Sequence, residues 1–280
     1  MLILLALVIG MLGHHSTSVI LAITRLAALV LVSLAVVVFY SQSSRNYSRL
    51  NRAKVDGNWK EVLECVERLR RSRQTTRIGV ADLELAYNRA LALAHLGELD
   101  RALAEFNETA QNAALPTWLV CSRLAALYEA GHQYEKAVEL RTQMVCEKPD
   151  MAAGWVDLAN TLARRLNRPT EARRALVRAE NMELTALEKT YVCYVNGVMF
   201  WREARYLEAK DKLETALNRL KPLAAKPLIG GVMMQVKSYL AVVNGELGNT
   251  VEARALFREA RKYLEAHQED ELLRACQKIR

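Results

Sequence analysis

Strand signals are missing from this 280-residue chain. No stretch sustains an alternation of apolar and polar residues bounded by turns, so a β-sheet is not expected. Prolines number only five (Pro116, Pro149, Pro169, Pro222, Pro227), and each falls at an expected helix start or in a loop, as an all-α chain requires. The five cysteines (Cys65, Cys121, Cys146, Cys193, Cys276) are odd in number, far apart and without a C-x-x-C spacing. That excludes a disulfide framework and a zinc site of the usual spacing, and it favours a reducing compartment. Cys121 and Cys193 instead fall on helix faces where a small apolar residue packs.

Catalytic signatures are missing too. None of His14, His15, His95, His132 and His267 stands in a metal-ligand spacing with acidic residues or cysteine. Gly230-Gly231 lacks the following Lys-Ser/Thr of a phosphate loop, and no G-x-S-x-G elbow occurs. Glu252 and Glu259 lie along one helix as solvated charge. No metal, no cofactor and no enzymatic activity are expected.

Charge is missing from one end only. Residues 1–40 carry a single charged side chain, Arg25. Setting it aside, the other 38 basic residues face 31 acidic ones, a net +7 over residues 41–280. Met1–Leu12 is continuously apolar, and Val19–Tyr40 (VILAITRLAALVLVSLAVVVFY) is 22 mostly apolar residues interrupted by one charge, Arg25. A membrane span needs about 20 apolar residues, so the second segment suffices and the first is too short alone. Residues 1–40 are therefore read as a membrane anchor of one or two hydrophobic helices, with Arg25 reaching to the nearer interface. No basic residue precedes the apolar run, which argues against a cleaved signal peptide. Arg45, Arg49, Arg52, Lys54 and Lys60 follow directly, so the positive-inside rule places the remainder in the cytoplasm. A basic patch of Arg45, Arg49, Arg52, Lys54, Arg68, Arg70, Arg71 and Arg73 would lie close to the lipid.

What fills residues 41–280 is a recurring unit, clearest in Leu124–Met144, LAALYEAGHQYEKAVELRTQM. Small Ala125 and Ala137 mark a close approach of two helices, and Gly131 is read as the left-handed residue ending the first. Aligning on the small residue and its neighbour three back gives Trp59/Val62, Leu99/Ala102, Tyr134/Ala137, Pro169/Ala172, Tyr206/Ala209 and Thr250/Ala253, at intervals of 40, 35, 35, 37 and 44 residues. Such a period marks a helical solenoid. Four residues after the small position stand Val66, Phe106, Leu176, Leu213 and Phe257, with Arg141 the exception. Glu269–Arg280 is expected to form a polar closing helix.

These residues resemble the tetratricopeptide repeat family over roughly 220 of the 280 positions, with the large–small pairs Leu124-Ala125, Leu158-Ala159 and Leu240-Ala241 and the aromatic Trp155 in place. The resemblance implies an all-α, right-handed solenoid of about six helix–turn–helix repeats. It also implies a groove lined by the first helices, which would hold a protein or peptide segment. Projected onto this chain, that groove comprises Tyr87, Asn88, Arg123, Asp157, Asn160, Arg164, Tyr191, Tyr194, Trp201, Arg202 and Tyr239. Aromatic residues and arginine are enriched at binding hot spots, while Tyr191, Tyr194 and Trp201 can equally pack between repeats. The family's Lys/Asn clamp for an acidic chaperone tail is not matched. The function expected is a membrane-anchored scaffold at the cytoplasmic face. The alternatives are an extracytoplasmic protein assisting secretion or envelope assembly, and a basic lipid- or nucleic-acid-binding protein.

Overall fold

The computed structural model describes residues 19–76 and 81–279, which form helices joined by short turns. α1 (Val19–Val55) pairs with α2 (Trp59–Thr76), α3 (Asp82–His95) with α4 (Leu99–Asn112), and α5 (Thr117–Ala130) with α6 (Tyr134–Glu147). α7 (Ala152–Arg164) pairs with α8 (Pro169–Glu180), α9 (Ala186–Arg202) with α10 (Tyr206–Leu220), and α11 (Pro227–Glu246) with α12 (Thr250–Ala266); the short α13 (Asp270–Gln277) follows.

The repeat register lies where the sequence puts it. Trp59, Leu99, Tyr134, Pro169, Tyr206 and Thr250 are the first residues of the six second helices. The small residues three later, Val62, Ala102, Ala137, Ala172, Ala209 and Ala253, are all 0% exposed. Close packing leaves no room for a larger side chain there, so volume rather than hydrophobicity sets the pattern.

One turn is used six times. Two residues before each second helix the backbone is left-handed: Gly57, Gly97, His132, Asn167, Ala204 and Gly248 have φ of 65°, 87°, 59°, 51°, 58° and 80°. The next residue donates its N–H back to the helix just ended, as from Asn58 to the Ala53 carbonyl and from Gln133 to the Tyr128 carbonyl, at 2.9 and 2.8 Å. This is the Schellman closure, which satisfies carbonyls that the helix end leaves open. Gly131 is not the left-handed residue of its turn; His132 is. Gly131 is small for another reason: a Cβ there would lie 2.7 Å from Leu99 Cδ2 of the preceding hairpin.

Neighbouring hairpins pack through second-to-first helix contacts, α2 on α3, α4 on α5, and so on to α10 on α11. The row then returns on itself, because α11 packs against α1 and Gly231 approaches Val55. The six hairpins thus make a closed ring. α13 closes the last hairpin, burying Leu272 and Cys276 against α11 and α12 and leaving Asp270, Glu271, Arg274 and Gln277 exposed.

α1 runs without a break across residue 40, so its outer part and the first repeat are one helix. Among the described residues no helix is long and apolar enough to cross a membrane. Met1–Leu12 and the side chains of Arg25 and Arg73 lie outside the described residues.

The turn chemistry makes a direct prediction. Ala204 has a Cβ in a left-handed conformation, which costs roughly 1 kcal/mol relative to glycine. Ala204→Gly is expected to raise unfolding free energy by about that much. Gly97→Ala is expected to lower it similarly, since a Cβ there meets nothing within 4 Å and the cost is conformational alone. Urea denaturation of the two variants checks both signs.

Candidate functional site on the inner face

The first helices line the inside of the ring, and the chain's own C-terminal turn, residues 266–271, runs across it from hairpin to hairpin. At the first hairpin, His267 Nε2 donates to the Val55 carbonyl at 3.0 Å. A Cβ on Gly57 would sit 2.6 Å from that of Ala266, so glycine is needed there for contact as well as for φ. At the second, His95 stacks on Trp59 with ring centroids 3.8 Å apart, and His267 meets the Trp59 ring edge-on at 5.7 Å. At the third, His132 Nε2 donates to Gln268 Oε1 at 3.1 Å, while the Tyr134 hydroxyl donates to its Nδ1 at 2.8 Å. At the fourth, Glu269 accepts from Arg164 and from both terminal nitrogens of Arg165, the latter at 2.7 and 2.8 Å. At the fifth, Glu271 accepts a two-pronged contact from Arg202. Gln235 of the sixth hairpin donates to Tyr263 and accepts from the Tyr194 hydroxyl.

The electrostatics follow from this geometry. Glu269 is 6% exposed; burial pushes its carboxyl up, but Arg164 and Arg165 outweigh that and hold it below the usual range. Glu129 behaves likewise, its burial outweighed by Arg141 and then Arg165 and Arg164. Burial, with His267 and His132 nearby, drives His95 down to about 3, so both ring partners of Trp59 are neutral at pH 7. Beside the turn lies a cavity of about 190 Å³ lined by His95, Glu129, Asn160, Arg164, Tyr263 and Glu269. Arg164 Nε, Arg165 Nε and Asn160 Oδ1 are buried there without a partner among the described residues.

The eleven groove residues expected from the sequence separate into three sets. Tyr87, Asn88, Tyr194 and Tyr239 are buried. Asn88 bridges Lys54 and Glu84, Arg123 lies over the Tyr87 ring at 4.1 Å, and Tyr194 and Tyr239 meet edge to face. Arg164, Arg202 and Trp201 are held around the C-terminal turn, Trp201 packing on Tyr239. Asp157 and Tyr191 share an open groove of about 330 Å³ between α7 and α9 with Val156 and Leu187, while half-buried Asn160 faces the cavity. Of the expected basic patch, Lys54 points inward to Asn88, Arg49 pairs with Glu61, and Arg68 and Arg70 pair with Glu64 and Glu67. Arg45 and Arg52 are exposed on the α1 surface.

Glu129, Arg141, Arg165, Gln235, Tyr263, His267, Glu269 and Glu271 were not among those groove residues. Arg141 carries a visible signal, since it occupies the repeat position that is apolar in the other five units. It is 7% exposed and pairs with Glu129 and Asp157. Among the described residues no group of three or more His, Cys, Asp or Glu could hold a metal ion.

No protein-family model matches the chain, and no curated protein does. Among solved structures, it is similar to a tetratricopeptide repeat protein from Parabacteroides merdae, at 14% identity over 85% of this chain and 98% of that one, with a TM-score of 0.44. It is also similar to the APC/C hetero-tetramer Cut9-Hcn1, at 13% identity over 80% and 48%, TM-score 0.36. A third is the TPR2AB domain of yeast Sti1 in its pHSP90 complex, at 13% identity over 85% and 99%, TM-score 0.29. The repeat assignment therefore stands on this chain's own turns and packing.

Acid should loosen the ring. His95 has a folded-state pKa below its unfolded one, so between pH 6.5 and about 3 the unfolded chain binds more protons and stability falls as pH falls. The depressed carboxyls of Glu269 and Glu129 act in the same direction, below about pH 4.5. Tm is expected to drop steadily below pH 6.5, and His95→Phe, which keeps a ring on Trp59, is expected to flatten the upper part of that drop. Thermal unfolding at half-unit pH steps measures it.

Proposed function

We propose that this chain is a membrane-tethered interaction scaffold, with the outer part of α1 set in a bilayer and the hairpin ring holding a protein segment on its inner face. The observation that carries the tether is the exposure of α1 beyond the ring: Leu26, Leu31 and Leu34 are 65%, 69% and 60% exposed, on a helix continuous with the first repeat. A run of exposed leucine and valine along one helix is costly in water and favourable in hydrocarbon. The flanking chemistry supports the same reading. Arg45, Arg49 and Arg52 recur at helical spacing along an open cleft of about 690 Å³ with Ser44 and Ser48. Antiparallel pairing brings the end of α2, with Arg68, Arg70 and Arg71, back to the level of about residue 40. Basic residues so placed each contribute on the order of 1 kcal/mol beside an anionic leaflet. They also favour the cytoplasmic side.

The partner surface is the inner face, where Trp201, Tyr191 and a set of arginines combine area with hydrogen-bonding capacity. Tethering would act by local concentration, making a modest contact effectively intramolecular.

The test is extraction and labelling of a variant keeping Cys146, the exposed cysteine on α6, as its single thiol. The chain should stay with membranes through alkaline carbonate, and a membrane-impermeant maleimide should reach Cys146 only after cells are opened. Release by carbonate would sink the tether. Labelling in intact cells would reverse the topology.

A further inference from the structure

Residues 266–271 occupy the surface on which a partner would lie. We propose that this turn is an internal ligand: it shuts the inner face, and a partner segment gains access when the turn and α13 withdraw. This rests on the reading of the inner face as the partner surface and adds its regulation.

The contacts have the character of a docked peptide rather than of a core. Each of the first five hairpins meets the turn through polar or ring contacts, made by Val55, His95, His132, Arg164 and Arg202 among others. By contrast, hairpin meets hairpin through fully buried apolar residues such as Leu127, Val195 and Leu213. Open space lies beside the turn: the 190 Å³ cavity, and a wider cleft of about 670 Å³ lined by His95, Gly131 and Gln268 among others. Arg164 and Arg165 each keep a buried Nε with no partner among the described residues. α13 spans only Asp270–Gln277, and the apolar anchors to be given up are those of Leu272, Cys276 and Ile279. Local opening of this kind is the low-stability end of a folded protein's range.

Native-state hydrogen exchange on the full chain decides it. Amides of 267–277 should exchange at least tenfold faster than those of 236–243 in α11, by an opening that loosens the seam between the first and last hairpins while the helices themselves stay protected. Glu271→Gln, which removes a half-exposed partner of Arg202, should speed that opening further. A fluorescent synthetic peptide of residues 263–280 should bind Glu271→Gln at least tenfold more tightly than the unaltered chain. The proposal is overturned if 267–277 exchange only together with α11, which would make the turn a permanent plug. It is equally overturned if the peptide binds both chains alike. Neither result touches the extraction and labelling outcomes, so the tethered scaffold can stand while the internal ligand falls.

Discussion

A carboxylate buried among arginines governs this molecule. Glu269 lies almost out of water with Arg164 and Arg165 on either side, 105 and 104 residues away in sequence. Burying a charge is tolerated only when it is paired and hydrogen-bonded, and Glu269 meets that condition only if the last turn of the chain reaches the middle of the fourth hairpin. Removing one member of such a set commonly costs about 3–5 kcal/mol, because the others are left uncompensated. The contact of Gly57 with Ala266 and the edge-on approach of His267 to Trp59 lie along the same turn.

Below that long-range constraint sits a short-range one. A left-handed residue two positions before each second helix sets the same hairpin geometry six times, and it is met by glycine in three hairpins and by His132, Asn167 and Ala204 in the others. Repeated geometry with small side chains at the crossing points stacks the hairpins at similar angles. The turn from α12 into α13 has the same form, with Gln268 left-handed and Glu269 N–H donating to the Leu264 carbonyl. A local rule used once more at the end of the chain thereby carries Glu269 into the ring.

The two constraints differ in how far they can be read from residues alone. Val62, Ala102, Ala137, Ala172, Ala209 and Ala253 reveal the register because smallness at a crossing is a local need repeated at a near-fixed period. The closure of the ring has no such period. His267 and Val55 are 212 residues apart, and His132 and Gln268 are 136 apart, so nothing in a window of sequence ties them together. Arg141 was a usable sign, since a charge at an apolar repeat position needs a buried partner, and Glu129 supplies it. The Arg164-Arg165 doublet and the late Glu269-Asp270-Glu271 run were a second sign, legible only once an inner face is assumed. Aromatic residues on the first helices were ambiguous for a physical reason: Tyr194 and Tyr239 are as suited to burial with a satisfied hydroxyl as to a binding surface.

The central claim is that the C-terminal turn holds the first and last hairpins together. The most direct measurement is the distance distribution between spin labels on the exposed positions Lys60 of α2 and Arg258 of α12, in the unaltered chain and in Glu269→Gln. A single narrow distance that broadens and lengthens in Glu269→Gln is the predicted result. A broad distribution in the unaltered chain, or one that Glu269→Gln leaves unchanged, would contradict the account.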